Sequence, residues 1–219
     1  MPLEPARVVA QLRELHQLTG DEDGAQRVAW TETWDRARDW LDVLLDGLPL
    51  DRERDEAGND WWTLRGESDR AVLIGGHIDS VPNGGWLDGC LNVVAGAEVL
   101  RRVADEGVPP VTVRLVNWAD EEGARFGRSL FGSSAAAGSM RDQGELARLV
   151  DRDGVSLVDA LAASGVDLSR AADAQAQLAS AAAYLELHIE QGPVLESLDL
   201  PLGACPSGSS RRGLLGRAR

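Results

Sequence analysis

The sequence predicts an α/β fold: a mixed, largely parallel sheet flanked by helices, with its chemistry at the strand ends. Three observations carry this. Two apolar runs, AVLIGGH at 71–77 and VTVRLVNWAD at 111–120, are continuous rather than alternating, as buried central strands are. A helical period fills 91–106 between them, the strand–helix–strand order of a parallel pair. A third strand-like segment, YLELHIEQ at 184–191, follows an alanine-rich stretch. Sheets of this kind gather ligand sites at the carboxyl ends of their strands.

The remaining elements follow in order. Residues 5–19 set Val8, Val9, Leu12, Leu15 and Leu18 at helical spacing. A second helix is expected from Ala25 to about Asp46, burying Trp30, Trp34, Leu41, Leu44 and Leu45. LPLDRERDEAGNDWWTLRG reads as a hairpin turning at AGND. GSSAAAGSM starts a short helix or turn, and 141–182 is helical in tendency but broken by Gly144, Gly154 and Gly165. Trp30, Trp34, Trp40, Trp61 and Trp62 read as core, with an interface as the alternative. Residues 1–203 read as the N-terminal part of one catalytic domain. The tail 204–219 differs in kind: Asp199 is the last acid, and four arginines with a Gly/Ser bias follow, the composition of a disordered or out-of-frame terminus.

Composition excludes several function classes. The net charge of −14 argues against a nucleic-acid partner, which a basic face would serve, and against an anionic membrane. The chain has no lysine, which rules out a P-loop lysine, a Schiff-base lysine and a Ser–Lys dyad within it. Two cysteines, Cys90 and Cys205, make neither a disulfide framework nor a thiolate metal site. No apolar leader or membrane-length run is present, so a cytoplasmic location is expected.

What remains is a set of histidines beside carboxylates. The first cluster is GGHIDS, with His77 and Asp79, followed by Asp88 in WLDG. The second is NWADEEG, with Asp120, Glu121 and Glu122; the third is ELHIEQGP, with His188 and Gln191. Imidazole nitrogen with carboxylate oxygen suits Zn²⁺, Mn²⁺, Co²⁺ or Ni²⁺. One H-x-D is weak, but three such clusters at three strand ends converge in a parallel sheet. His77 and Asp79, two apart, leave a strand on one face, so Asp79 either orients the His77 ring or caps the turn into SVPNGG. Adjacent Glu121 and Glu122 point different ways, so one can bind metal while the other addresses a water. Alone, Asp120–Glu122 reads as a solvated acidic loop. His16 lies apart from these clusters and reads as a surface or core residue.

The segments GGHIDSVPNGGWLDG, DEEGARFG and ELHIEQGPVLE together resemble the N-carbamoyl-L-amino-acid hydrolase, β-ureidopropionase and allantoate amidohydrolase group of the aminoacylase- and carboxypeptidase-like metallohydrolases. The resemblance runs from about residue 5 to about 203. It implies a dinuclear metal site. His77 and His188 then hold one ion, Asp88 bridges, Glu122 binds the other ion, Glu121 is the general base, Asp79 holds His77 and Gln191 contacts substrate. The implied substrate is a small N-carbamoyl or ureido compound, and the implied assembly a homodimer formed through a separate lid domain.

The chain departs from that pattern. The group places a lid domain and a last metal-binding histidine further on, yet no histidine follows His188. One metal site therefore lacks its last ligand, and a truncated or frameshifted copy of impaired activity is expected. Cys90 and Asn92 stand where small residues are usual, and Ser134 where Arg is common. The first two are expected to be packing changes. Alternatives are an aminoacylase- or peptidase-type hydrolase on the same metal core, and a fragment without catalysis.

Overall fold

The computed structural model describes residues 2–205. The chain divides into two units, Met1–His188 and Ile189–Arg219. The expected change at 203/204 thus falls inside the second unit, and the expected disordered tail from 206 onward lies outside the described residues.

Pro5 opens helix α1 (Pro5–Thr19), whose Val8, Leu12 and Leu15 are buried at helical spacing. Val9 and Leu18, expected on the same stripe, are exposed, so the apolar face is narrower than its sequence pattern. Strands β1 (Gly20–Asp21) and β2 (Gly24–Ala25) form a small antiparallel hairpin. Helix α2 spans Glu32–Leu45 and begins seven residues later than expected. Two local facts set that start. Thr31 caps the helix, its hydroxyl accepting from Trp34 N–H at 3.4 Å, and Trp30 sits at φ 64°. Ala25 and Arg27 spend backbone groups on residues 80–84, and Gln26 N–H bonds Thr19 O, instead of on a helical ladder.

Strands β3 (Asp51–Arg54) and β4 (Asp60–Leu64) form the expected hairpin. Its turn is organised by Asp55, whose carboxylate accepts from the backbone N–H groups of Ala57 and Asn59, from the Trp61 indole N–H and from the Asn59 side-chain amide. Strand β5 (Ala71–His77), helix α3 (Cys90–Asp105) and strand β6 (Thr112–Trp118) make a parallel strand–helix–strand unit. Beyond them lie helices α4 (Phe131–Ala136), α5 (Gln143–Leu146) and α6 (Leu157–Ala163), then a 3-10 helix over Leu168–Leu178. Strand β7 is Ala181–Leu185 rather than 184–191, so His188 lies past the strand's end. In the second unit, Glu190 caps helix α7 (Val194–Ser197), accepting from Val194 and Leu195 N–H at 3.0 and 2.8 Å.

The five-stranded sheet runs β3-β4-β6-β5-β7. It is mixed as expected, but its parallel part is confined to β6, β5 and β7; β3 and β4 join antiparallel. The parallel register decides the site. His77 stands opposite Trp118, so the turns leaving β5 and β6 emerge side by side. Ile74 stands opposite Leu185, the last pair of the β5–β7 ladder, and His188 follows three residues past it. Among the tryptophans expected in the core, Trp30, Trp34, Trp61 and Trp62 are buried.

One ion pair anchors the antiparallel half. Asp60 accepts from Arg38 at 2.7 and 2.7 Å, from Arg54 at 2.9 Å and from Asn117 at 3.2 Å. Burial alone would raise its carboxyl, but the two guanidiniums outweigh it and hold it below the ordinary 3.8. A carboxyl held low stabilises fully above its ordinary value, and that contribution is lost as pH falls through the lower folded value. Asp60→Ala strands Arg38 in the core and is expected to cost about 3–5 kcal/mol in denaturant unfolding. A loss below about 1 kcal/mol, the size of a surface pair, contradicts this account.

Candidate metal centre

The site lies where β5 and β6 end and past the end of β7. His77 is the last residue of β5 and is buried. Its ring lies flat against Gly89: a Cβ there would meet the imidazole at 2.4 Å, and Gly89 sits at φ 64°, so the residue after Asp88 has to be glycine. Asp88 and Gly89 lead into α3, and Asp88 Oδ1 lies 3.5 Å from His188 Nε2. Donor atoms of His77, Asp88 and His188 all fall within 4.8 Å of one another. The same holds for His77, Glu121 and Glu122, where His77 Nε2 lies 3.6 Å from Glu121 Oε2. His77 belongs to both groups.

Asp79 does not share a strand with His77, because β5 stops at His77. The expected pairing is nonetheless present: His77 Nδ1 lies 3.1 Å from the Asp79 carbonyl oxygen and 3.5 Å from its carboxylate. The carboxylate also caps a turn, but a different one from SVPNGG. It accepts from Glu121 N–H at 3.3 Å and Glu122 N–H at 3.1 Å, tying the β6 exit to the β5 exit. That exit turn is held further by Asn59, which accepts from Ala119 N–H at 2.9 Å. Gly123 completes it at φ 65°, where a Cβ would strike the Arg128 carbonyl carbon at 2.2 Å.

The electrostatics are those of a cation site. Burial would lower the His77 ring, but its hydrogen bond to Asp79 and the charges of Asp79, Glu121 and Glu122 push it up to about 9. Burial raises Glu121 and Glu122 above their ordinary values, partly offset by His77. Burial first, then the charge of Asp79, pushes Asp120 up to about 7. This corner thus holds excess negative charge that a proton on His77 balances in part, and a divalent cation would balance by displacing it. The spacing agrees. Ligand atoms on one tetrahedral ion at about 2.0–2.2 Å stand roughly 3.4 Å apart, against the 3.5 and 3.6 Å separations seen. The donor set therefore fits a divalent metal.

Several residues support the site through contacts that the sequence did not reveal. Trp30 donates from Nε1 to Asp120 at 2.8 Å, and Asp120 itself takes a left-handed φ of 53°. Asn92, expected as a packing change, accepts from Leu187 N–H at 3.0 Å and so holds the segment that carries His188. Cys90 is buried as expected, and Ser134 spends its hydroxyl on Phe131 O within its own helix. Tyr184 Oη lies 2.9 Å from Gly75 O and 2.9 Å from Glu186, and accepts from Trp118. It lines a cleft of about 480 Å³ with Trp118, Glu121, Leu130 and Glu186. Nothing in the periodicity marks the Trp30–Asp120, Asn92–Leu187, Trp118–Tyr184 and Tyr184–Gly75 contacts, because each joins segments far apart in sequence. Gln191 belongs to the second unit. Among the described residues no helix is long and apolar enough to cross a membrane.

A mixed sheet whose parallel strand ends carry two overlapping His/carboxylate groups defines the class: a scaffold built to hold divalent metal. The family model for peptidase family M20/M25/M40 matches residues 73–205, and the chain belongs to that family. It is 40% identical over 185 residues to an N-carbamoyl-L-amino acid amidohydrolase of Geobacillus stearothermophilus, covering 82% of this chain and 44% of the relative. It is 32% identical to an allantoate amidohydrolase of Bacillus subtilis, covering 88% of this chain and 47% of that one. A hydantoinase/carbamoylase family amidase from Burkholderia ambifaria superposes with a TM-score of 0.77 at 32% identity, over 90% of this chain and 48% of the other. The chain thus spans about half the length of the curated relatives it matches.

Proposed function

We propose that this chain is the metal-binding half of an amidohydrolase that cleaves a linear C–N bond, with an N-carbamoyl-L-amino acid, or a ureido compound such as ureidopropionate or allantoate, as substrate. The observation that carries the reading is His77. It is shared by two donor groups at converging strand ends, in a chain whose relatives are named for carbamoyl and allantoate hydrolysis.

In this reading His77 and His188 would hold one ion and Glu122 the other, with Asp88 as a carboxylate ligand that serves both. Bound there, divalent ions polarise the scissile carbonyl and acidify water. The chain's own residues do the rest. Glu121 takes a proton from the attacking water and returns it to the departing nitrogen, a task suited to a carboxyl raised by burial. Asp79 fixes the His77 ring and the amides of Glu121 and Glu122. Gln191 contacts substrate. With a carbamoyl substrate, one water yields an amino acid, carbon dioxide and ammonia. Homodimerisation and a cytoplasmic setting belong to the same proposal.

The test is metal content of the purified chain together with turnover of an N-carbamoyl-L-amino acid after loading with Zn²⁺, Mn²⁺ or Co²⁺. Metal-dependent release of ammonia supports the reading. Metal uptake without turnover leaves the site and removes the activity from this chain. A folded chain that takes up no metal overturns both.

A further inference from the structure

We infer that Arg27 is a positioning residue for the metal centre, a buried clamp that fixes the β5 exit loop against the start of α3. The inference rests on the metal-site reading above.

Residues 25–27, expected as the start of a helix, instead form a strap along the β5 exit, and 29–30 turn into α2. Ala25 and Gly84 exchange backbone hydrogen bonds at 2.9 and 3.1 Å. Gln26 Nε2 donates to Asn83 Oδ1 at 2.7 Å, and Asn83 N–H donates back to Gln26 Oε1 at 3.2 Å. Arg27 N–H donates to Ser80 Oγ at 3.0 Å, and Ser80 N–H returns a bond to Arg27 O at 3.0 Å. Past the strap, Trp30 bonds Asp120.

The Arg27 side chain is fully buried. Its Nε donates to Ile78 O at 2.7 Å, and Ile78 lies between His77 and Asp79. Its other nitrogens reach Thr19 Oγ1 and Cys90 Sγ, each at 3.5 Å, and Cys90 opens α3 two residues past Asp88. Among the described residues no carboxylate pairs with this guanidinium, in contrast to buried Arg38 with Asp60. A buried cation without an ion pair is expensive unless its donors are well used. Here they are used on the peptide that carries two expected site residues and on the turn that delivers a third. A planar fork of donors can span both segments at once, and an ammonium cannot.

The test compares the unaltered 219-residue chain with Arg27→Met, Arg27→Lys and Arg38→Met. Co²⁺ affinity and the visible absorption of bound Co²⁺, which reports ligand geometry, are read beside the metal-free unfolding midpoint. Arg27→Met is expected to bind Co²⁺ about 10–100-fold more weakly, the usual cost of losing an outer partner of a ligand, and with a changed spectrum. Arg27→Lys recovers part of the affinity. Arg38→Met lowers the unfolding midpoint and leaves Co²⁺ affinity and spectrum alone. Should Arg27→Met fail to fold, Ser80→Ala carries the test, with a smaller loss in the same direction. Unchanged affinity and spectrum in whichever variant carries the test overturn the clamp alone, as does an equal loss in Arg38→Met. No Co²⁺ binding by the unaltered, folded chain overturns the metal site, and the clamp with it.

Discussion

Replacing His77 by alanine is expected to abolish tight metal binding. Both donor groups contain this imidazole, which in the proposed arrangement is a ligand of the first ion. Loss of a partner behind a ligand costs about 10–100-fold in affinity, and loss of the ligand itself exceeds that. The effect is measurable by competition with a chelator. It is also measurable as lost metal-linked stability: saturation at about 100 times Kd adds about 2.7 kcal/mol to the unaltered chain, and the variant should gain almost none. His77 is buried against Gly89 and balances the charges of Asp79, Glu121 and Glu122, so the metal-free unfolding curve serves as a control. Equal metal affinity in a folded His77→Ala chain contradicts the placement of the centre.

Glu121→Gln should lower turnover by about 10²–10⁴-fold, the usual worth of a general acid–base group, while metal affinity changes only a few-fold. Glu122→Gln should do the opposite and weaken metal binding first. The pair is informative because both glutamates belong to the same donor group and Glu121 Oε2 lies 3.6 Å from His77 Nε2. Geometry alone permits either one to serve as ligand. If Glu121→Gln loses metal and Glu122→Gln keeps it, the two roles are exchanged. Retained turnover in Glu121→Gln removes the general base from the proposal altogether.

Much of this organisation is legible in residue order. Strand β5 and helix α3 fall within a residue of the segments read from apolar runs and periodicity, and β6 lies inside its run, because a buried parallel strand and its crossover helix advertise themselves in composition. The α2 start is the informative miss. Ala25–Trp30 carries helix-compatible residues, yet the backbones of Ala25 and Arg27 bond Gly84 and Ser80, and no local pattern reveals a partner more than fifty positions away. The β7 boundary moved for a related reason. Strand propensity continues through LELHIE, but the ladder with β5 ends at Leu185, which frees His188 to face Asp88.

By itself, then, the sequence determined the donor types, their order and the strand ends that carry them, since ligand chemistry and hydrophobic patterning are properties of neighbouring residues. Only the tertiary structure decided that His77 belongs to both groups, that Asp79 caps the Glu121–Glu122 turn, and that Arg27 bonds the Ile78 carbonyl between His77 and Asp79. Those facts depend on the register of β5 against β6 and β7 and on the hydrogen bonds that register leaves to be satisfied. Register is set by the packing of the whole sheet, a sum over many distant pairs that no single segment contains.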